Sequence, residues 1–148
     1  MNKQDQKVID HAIAILDREL TNNQITFTNP TKVKEYLTLK LSQKLSEVFS
    51  VVLLNNQHQV IEYREMFFGT VNASSVHPRE IIRACIETNA AAIIVSHNHP
   101  SGIAEPSISD IDITQTIKQA CALIDVRLLD HIIVAGVNTV SLAERGQI

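Results

Sequence analysis

The chain has 148 residues, 45% hydrophobic and 20% charged, which suits one globular domain with a sizeable core. Its net charge of −3 gives no global attraction to nucleic acid, and no apolar run reaches the ~18 residues of a membrane-spanning helix. The opening Met1-Asn2-Lys3-Gln4-Asp5-Gln6-Lys7 lacks the apolar core of a signal peptide, so a cytoplasmic protein is expected.

Residues 3 to 20 place Ile9, Ala12, Ile13, Leu16 and Leu20 at helical spacing, an amphipathic helix whose stripe must be covered by its own domain or by a second subunit. Residues 21 to 30 are polar and end in Pro30, so they read as a connection. Thr31 can cap a second helix carrying Val33, Leu37, Leu41 and Leu45 on one stripe. Glu47 opens Val48 to Leu54, a near-continuous apolar strand of the buried kind. Asn55 to His58 form a turn, and Val60 to Phe68 return as a half-exposed hairpin arm that finishes at Gly69-Thr70. Pro78 suits the first position of a helix over 79 to 89. Ala90 to Val95 is a short branched apolar run that reads as a buried strand. From Ser107 a further helix carries Ile113, Ile117, Ala120, Cys121 and Ile124; Val126 to Ala135 is strand-like, and Asn138 to Leu142 adds a short edge strand. This order implies a mixed sheet flanked by helices, an α/β or α+β domain. No internal repeat or low-complexity tract interrupts it.

The two cysteines, Cys85 and Cys121, sit in apolar helical patterns and belong to no Cys-x-x-Cys pair, so they read as reduced core residues. The chemistry gathers instead in residues 97 to 110, His-Asn-His-Pro-Ser-Gly-Ile-Ala-Glu-Pro-Ser-Ile-Ser-Asp. His97 and His99 lie at the end of the buried strand or just past it, and two-residue spacing lets both point one way. Pro100, Gly102 and Pro106 force a loop. Ser107 then caps a helix and Asp110 falls in its first turn, in a variant of the Ser-x-x-Glu capping box. Such a loop can return Asp110 to the imidazoles. Two imidazoles and a carboxylate suit Zn2+, and three protein ligands leave a fourth tetrahedral position, the pattern of a catalytic site.

His-x-His, seven residues, Ser, two residues, Asp resembles the JAMM (MPN-plus) metalloprotease motif. The wording His97-Asn98-His99-Pro100-Ser101-Gly102 resembles the RadC-like branch of that superfamily. So do Val76-His77-Pro78-Arg79-Glu80, Leu129-Asp130-His131-Ile132-Ile133-Val134 and Ser141-Leu142-Ala143-Glu144-Arg145-Gly146. The resemblance covers about residues 30 to 148, dividing the chain into an N-terminal helix and connection, 1–29, and an MPN/JAB domain, 30–148. It implies a deaminase-like α/β sandwich around a mixed central sheet.

The resemblance also implies roles. His97, His99 and Asp110 would hold zinc. Zinc peptidases use a carboxylate to take a proton from water and deliver it to the leaving group. The JAMM pattern places that glutamate on an early strand, where Glu47-Val48-Phe49 stands; Glu62 and Glu65 rank behind it. Ser107 matches the serine that stabilises the oxyanion. The implied function is a zinc-dependent hydrolase of amide or isopeptide bonds, acting on a protein or peptide. The alternative is a non-enzymatic accessory module in DNA repair or DNA metabolism, but residues 1 to 46 contain no Gly-rich hairpin motif and charge gives DNA association no support. A cytidine-deaminase site needs a Pro-Cys-x-x-Cys pair, absent here. A metallo-β-lactamase site wants Asp-His after His-x-His, where Pro100-Ser101-Gly102 stand. Of the remaining histidines, His11 reads as solvated and His58 as a turn residue. His77 and His131 read as structural hydrogen-bonding residues at the border of the site.

Overall fold

The computed structural model describes residues 2–21, Phe27 and residues 29–148, with the backbone alone at residues 20 and 21. Its elements run α1 (Lys3–Thr21), α2 (Pro30–Leu41), β1 (Val48–Leu54), β2 (Val60–Phe68), α3 (Pro78–Thr88), β3 (Ala92–Asn98), α4 (Ile108–Ala122), β4 (Arg127–Ala135) and β5 (Asn138–Ser141). The strands form one mixed sheet in the order β2-β1-β3-β4-β5. β1 pairs antiparallel with both β2 and β3, β3 pairs parallel with β4, and β4 pairs antiparallel with β5. The parallel pair needs a long crossover, and α4 supplies it. This is an α/β fold consistent with a JAB/MPN domain.

Both faces of the central strands are buried, which is why β1 reads as a near-continuous apolar run and β3 opens with one. Alternation sends Phe49, Val51, Leu53, Ile93 and Val95 to one side, where Ile81, Ala84 and Cys85 of α3 and Ile113, Ile117 and Cys121 of α4 meet them. Val48, Val52, Leu54, Ala92 and Ile94 face the other side, against Val33, Tyr36, Leu37 and Leu41 of α2. Cys85 and Cys121 are free thiols buried in the first core. α1 lies outside α2 and touches β2. Its Ile9, Ala12, Ile13 and Leu16 are half-buried, so the domain itself covers much of the stripe. Asp17 fastens α1, accepting from the Tyr36 hydroxyl and from Lys40 Nζ, each at 2.9 Å. Among the described residues no helix is long and apolar enough to cross a membrane.

Three local expectations change. The cap of α2 is Asn29, whose side chain accepts from Thr31 N, and Pro30 takes the first helical position; Thr31 is already inside the helix. α2 stops at Leu41, so Leu45 falls beyond its stripe and is 97% exposed. β3 begins and ends later than the apolar run, because Ser96, His97 and Asn98 keep pairing with β1 or β4. Most of the 21–30 connection, and the Leu20 side chain, lie outside the described residues.

Candidate metal centre

β3 runs between β1 and β4, and its last turns of side chain are polar. His97 continues the row of Ile93 and Val95 toward α4 and has no exposed surface. Its ring stacks on Phe49, with 15° between planes and 6.1 Å between centroids, which fixes its tilt. His99 follows just past the strand, where its N–H still bonds Val134 O at 2.8 Å. Gly102 turns the loop with φ +85°, a value that favours glycine. The loop ends at Ser107, where a full capping box forms. Ser107 Oγ accepts Asp110 N–H at 3.0 Å, and Asp110 Oδ2 accepts Ser107 N–H at 2.9 Å. The box aims the Asp110 carboxylate back toward β3, and α4 buries it. Arg145 grips Glu105 through two bonds of 2.9 Å, tying the loop to the C-terminal turn.

Three side chains therefore converge. His97 Nε2 and His99 Nε2 are 2.9 Å apart. Asp110 Oδ1 lies 3.2 Å from the first and Oδ2 3.2 Å from the second. Zn–N and Zn–O bonds of ~2.0–2.1 Å at a tetrahedral angle set ligand atoms about 3.3 Å apart, so these donors fit one zinc ion. The His99 tautomer agrees. Its Nδ1 is 2.8 Å from Ile103 O, a carbonyl that carries no proton, so Nδ1 holds the hydrogen and Nε2 a lone pair. A lone pair on His99 Nε2 beside the Asp110 carboxylate suits a cation between them. The bond to Asp110 raises His99 above its ordinary pKa. Burial alone would push the Asp110 carboxyl up, but the bonds to His97 and His99 outweigh it and hold the group far below the usual carboxylate range.

A second layer supports the first. His97 Nδ1 lies 2.8 Å from Nε2 of His131, a fully buried residue of β4. His131 Nδ1 meets Thr114 Oγ1, one turn past Asp110 on α4. Burial drives His131 well below its ordinary pKa, so it is neutral. Thr114 was not singled out in the sequence, although its place four residues after Asp110, inside an apolar stripe, was the available signal. Asn98 was missed too. It is buried, accepts Val48 N–H at 2.7 Å and donates to Ser46 O at 3.0 Å, clamping the chain on either side of Glu47.

Glu47 stands just before β1, two residues ahead of Phe49 and so on the side of His97. Its Oε2 accepts Val71 N–H at 2.8 Å, and its charge helps raise His99. Glu62 instead pairs with Arg64, which also reaches Glu87. Glu65 pairs with Lys44 and accepts the Tyr63 hydroxyl, on the α2 side. Ser107 is exposed at the head of α4. His77 is exposed at the start of α3, its ring edge-on to Phe67 at 5.8 Å.

The family described as the RadC-like JAB domain matches residues 27–147. A UPF0758 protein of Idiomarina loihiensis is 52% identical over 120 residues, 81% of this chain and 54% of the relative. One of Vibrio cholerae is 48% identical over 143 residues, 97% of this chain and 90% of that protein. One of Marinomonas is 48% identical over 141 residues, 95% of this chain and 62% of its own length. The chain thus spans a little over half of some relatives and nearly all of another.

Proposed function

This chain belongs to the RadC-like JAB domain family, and from that premise we propose that it is a zinc-dependent hydrolase of amide or isopeptide bonds, with His97, His99 and Asp110 as metal ligands. One observation carries the reading: two imidazole nitrogens 2.9 Å apart, on β3 and its exit, each lie 3.2 Å from an oxygen of the Asp110 carboxylate on α4, and one atom from each residue can meet a single ion. When bound, zinc supplies a Lewis acid that acidifies water and polarises a carbonyl oxygen.

The chain's own residues do the rest. Burial of His97 and Asp110 keeps bulk water off one side of the centre, while His99 is partly open and marks the approach. A groove of about 560 Å³ beside His99, bordered by Leu45, Pro100, Val134 and Gly136, gives a peptide room. Glu47 is the base. Its carboxylate takes a proton from the attacking water and gives it to the departing nitrogen. The water oxygen bonds the carbonyl carbon as the C–N bond breaks. The hold of Val71 N–H on Oε2 leaves Oε1 for the proton. Ser107 Oγ accepts from Asp110 N, which leaves its own hydrogen to donate to the developing oxyanion.

The test is a peptide-library cleavage screen with the zinc-loaded protein. Cleavage that disappears in Glu47→Gln at unchanged zinc content supports the assignment. Zinc bound at full occupancy with no cleavage of any peptide or isopeptide would turn the reading to a zinc-holding scaffold.

A further inference from the structure

The contacts behind His97 specify where its proton sits. The chain of atoms starts at Asp110 O, a backbone carbonyl that has no hydrogen to give. Thr114 Oγ1 lies 2.6 Å from it, so the Thr114 hydroxyl hydrogen occupies that gap. With its single hydrogen spent, Thr114 can meet His131 only as an acceptor, and His131 Nδ1 is the donor. His131 is fully buried and its two nitrogens meet Thr114 and His97 rather than a carboxylate, so the ring is neutral with one N–H and its Nε2 bears a lone pair. At 2.8 Å from that lone pair, His97 Nδ1 carries the hydrogen. His97 Nε2 is then left with a lone pair, turned toward His99 and Asp110.

Resting on the zinc reading above, we propose that Thr114 and His131 are positioning residues that lock His97 in its Nδ1–H tautomer and so present Nε2 to the metal. Geometry makes the lock rigid. His131 is fully buried, pairs in register with Val95 and packs edge-on to Phe49 at 5.7 Å. Thr114 is fully buried as well, and its hydroxyl binds the carbonyl of the ligand Asp110 itself. One short path therefore joins the backbone of the helix ligand to the ring of the strand ligand. Thr114 of α4 and His131 of β4 thus act on the metal site without themselves being ligands. Groups that orient a ligating histidine through its remote nitrogen typically account for about 10–100-fold in metal affinity.

The decisive variants are Thr114→Val, which keeps the branched shape without the hydroxyl, and Thr114→Ser, which keeps the hydroxyl. In Thr114→Val the His131 hydrogen loses its acceptor. It is relieved by moving to Nε2, which forces the His97 hydrogen onto the metal-facing nitrogen. Zinc affinity, read by chelator competition, should fall about 10–100-fold in Thr114→Val and return to within about threefold of the parent in Thr114→Ser. Ring ¹⁵N shifts of the zinc-loaded parent should show the hydrogen on Nδ1 of both His97 and His131, and this readout stands even if a variant fails to fold. An Nε2–H signal on His131, or a folded Thr114→Val that binds zinc like the parent, overturns the lock while leaving the metal centre standing. A parent protein that takes up no zinc overturns both.

Discussion

Replacing Asp110 by Asn keeps the side chain's shape and removes its charge, and the structure gives a size for the effect. Asp110 Oδ1 and Oδ2 each face one imidazole at 3.2 Å, and in the proposed site it is one of three protein ligands. A complete four-ligand zinc site binds with ~10–16 kcal/mol, or roughly 3 kcal/mol per ligand, so the loss should be about a hundredfold in affinity. Zinc at 100 times its dissociation constant stabilises the parent by about 2.7 kcal/mol. In a domain of this size that raises the melting temperature by roughly 5–10 °C. The same zinc concentration is then only about equal to the variant's dissociation constant, and the shift should shrink to roughly 1–2 °C. Asn can still accept Ser107 N–H through its oxygen, so without zinc the helix start should lose about 1 kcal/mol or less, added to the loss of the Asp110–His99 pair. The assay is differential scanning calorimetry with and without zinc. An undiminished zinc-dependent shift in Asp110→Asn would refute the argument.

Glu47→Gln should retain zinc and melt within a few degrees of the parent, while hydrolysis of a cleavable peptide falls about 10²–10⁴-fold; a rate near that of the parent would move the base elsewhere. Acid should weaken zinc binding. The ion and a proton compete for His99 Nε2, whose pKa is raised by Asp110, so affinity is full above that raised value and declines as pH falls through it. Isothermal titration across pH would show this, and a flat profile would contradict it. The metal-free protein behaves oppositely at high pH. His99 is raised and Asp110 lowered, so their pair contributes most between about pH 4 and 6.5, the unfolded values, and its contribution is lost as pH rises through the folded His99 value. Deleting residues 1–20 should lower stability by roughly 2–4 kcal/mol, the half-buried share of Ile9, Ile13 and Leu16, and an unchanged melting curve would make α1 a passive appendage.

Much of the fold was legible because its strands follow apolar runs. β1 and β3 are buried on both faces, so Val48 to Leu54 and Ala92 to Val95 leave an unmistakable trace. The grouping of His97, His99 and Asp110 was legible because the Pro/Gly loop and the Ser107 cap dictate how Asp110 returns. What the pattern could not show were polar residues that serve as structure. β3 extends through Ser96, His97 and Asn98 because neighbouring strands pair their backbones, whatever the side chains are. Asn98 is a clamp on the segment around Glu47, and its partners lie some fifty positions away in sequence. Thr114 reads as a polar interruption of an apolar stripe until His131 of β4 is placed against it. Asn29 outcompetes Thr31 as the α2 cap because Pro30 favours the first helical position, which leaves the preceding residue to cap.

The central claim is that His97, His99 and Asp110 share one zinc ion. Elemental analysis of the purified protein, joined to anomalous diffraction at the zinc edge, tests it directly. The account predicts one zinc per chain, with a single anomalous peak about 2.0–2.2 Å from His97 Nε2, His99 Nε2 and an Asp110 carboxylate oxygen. A peak elsewhere, or full occupancy in the His97→Ala/His99→Ala double variant, would contradict it.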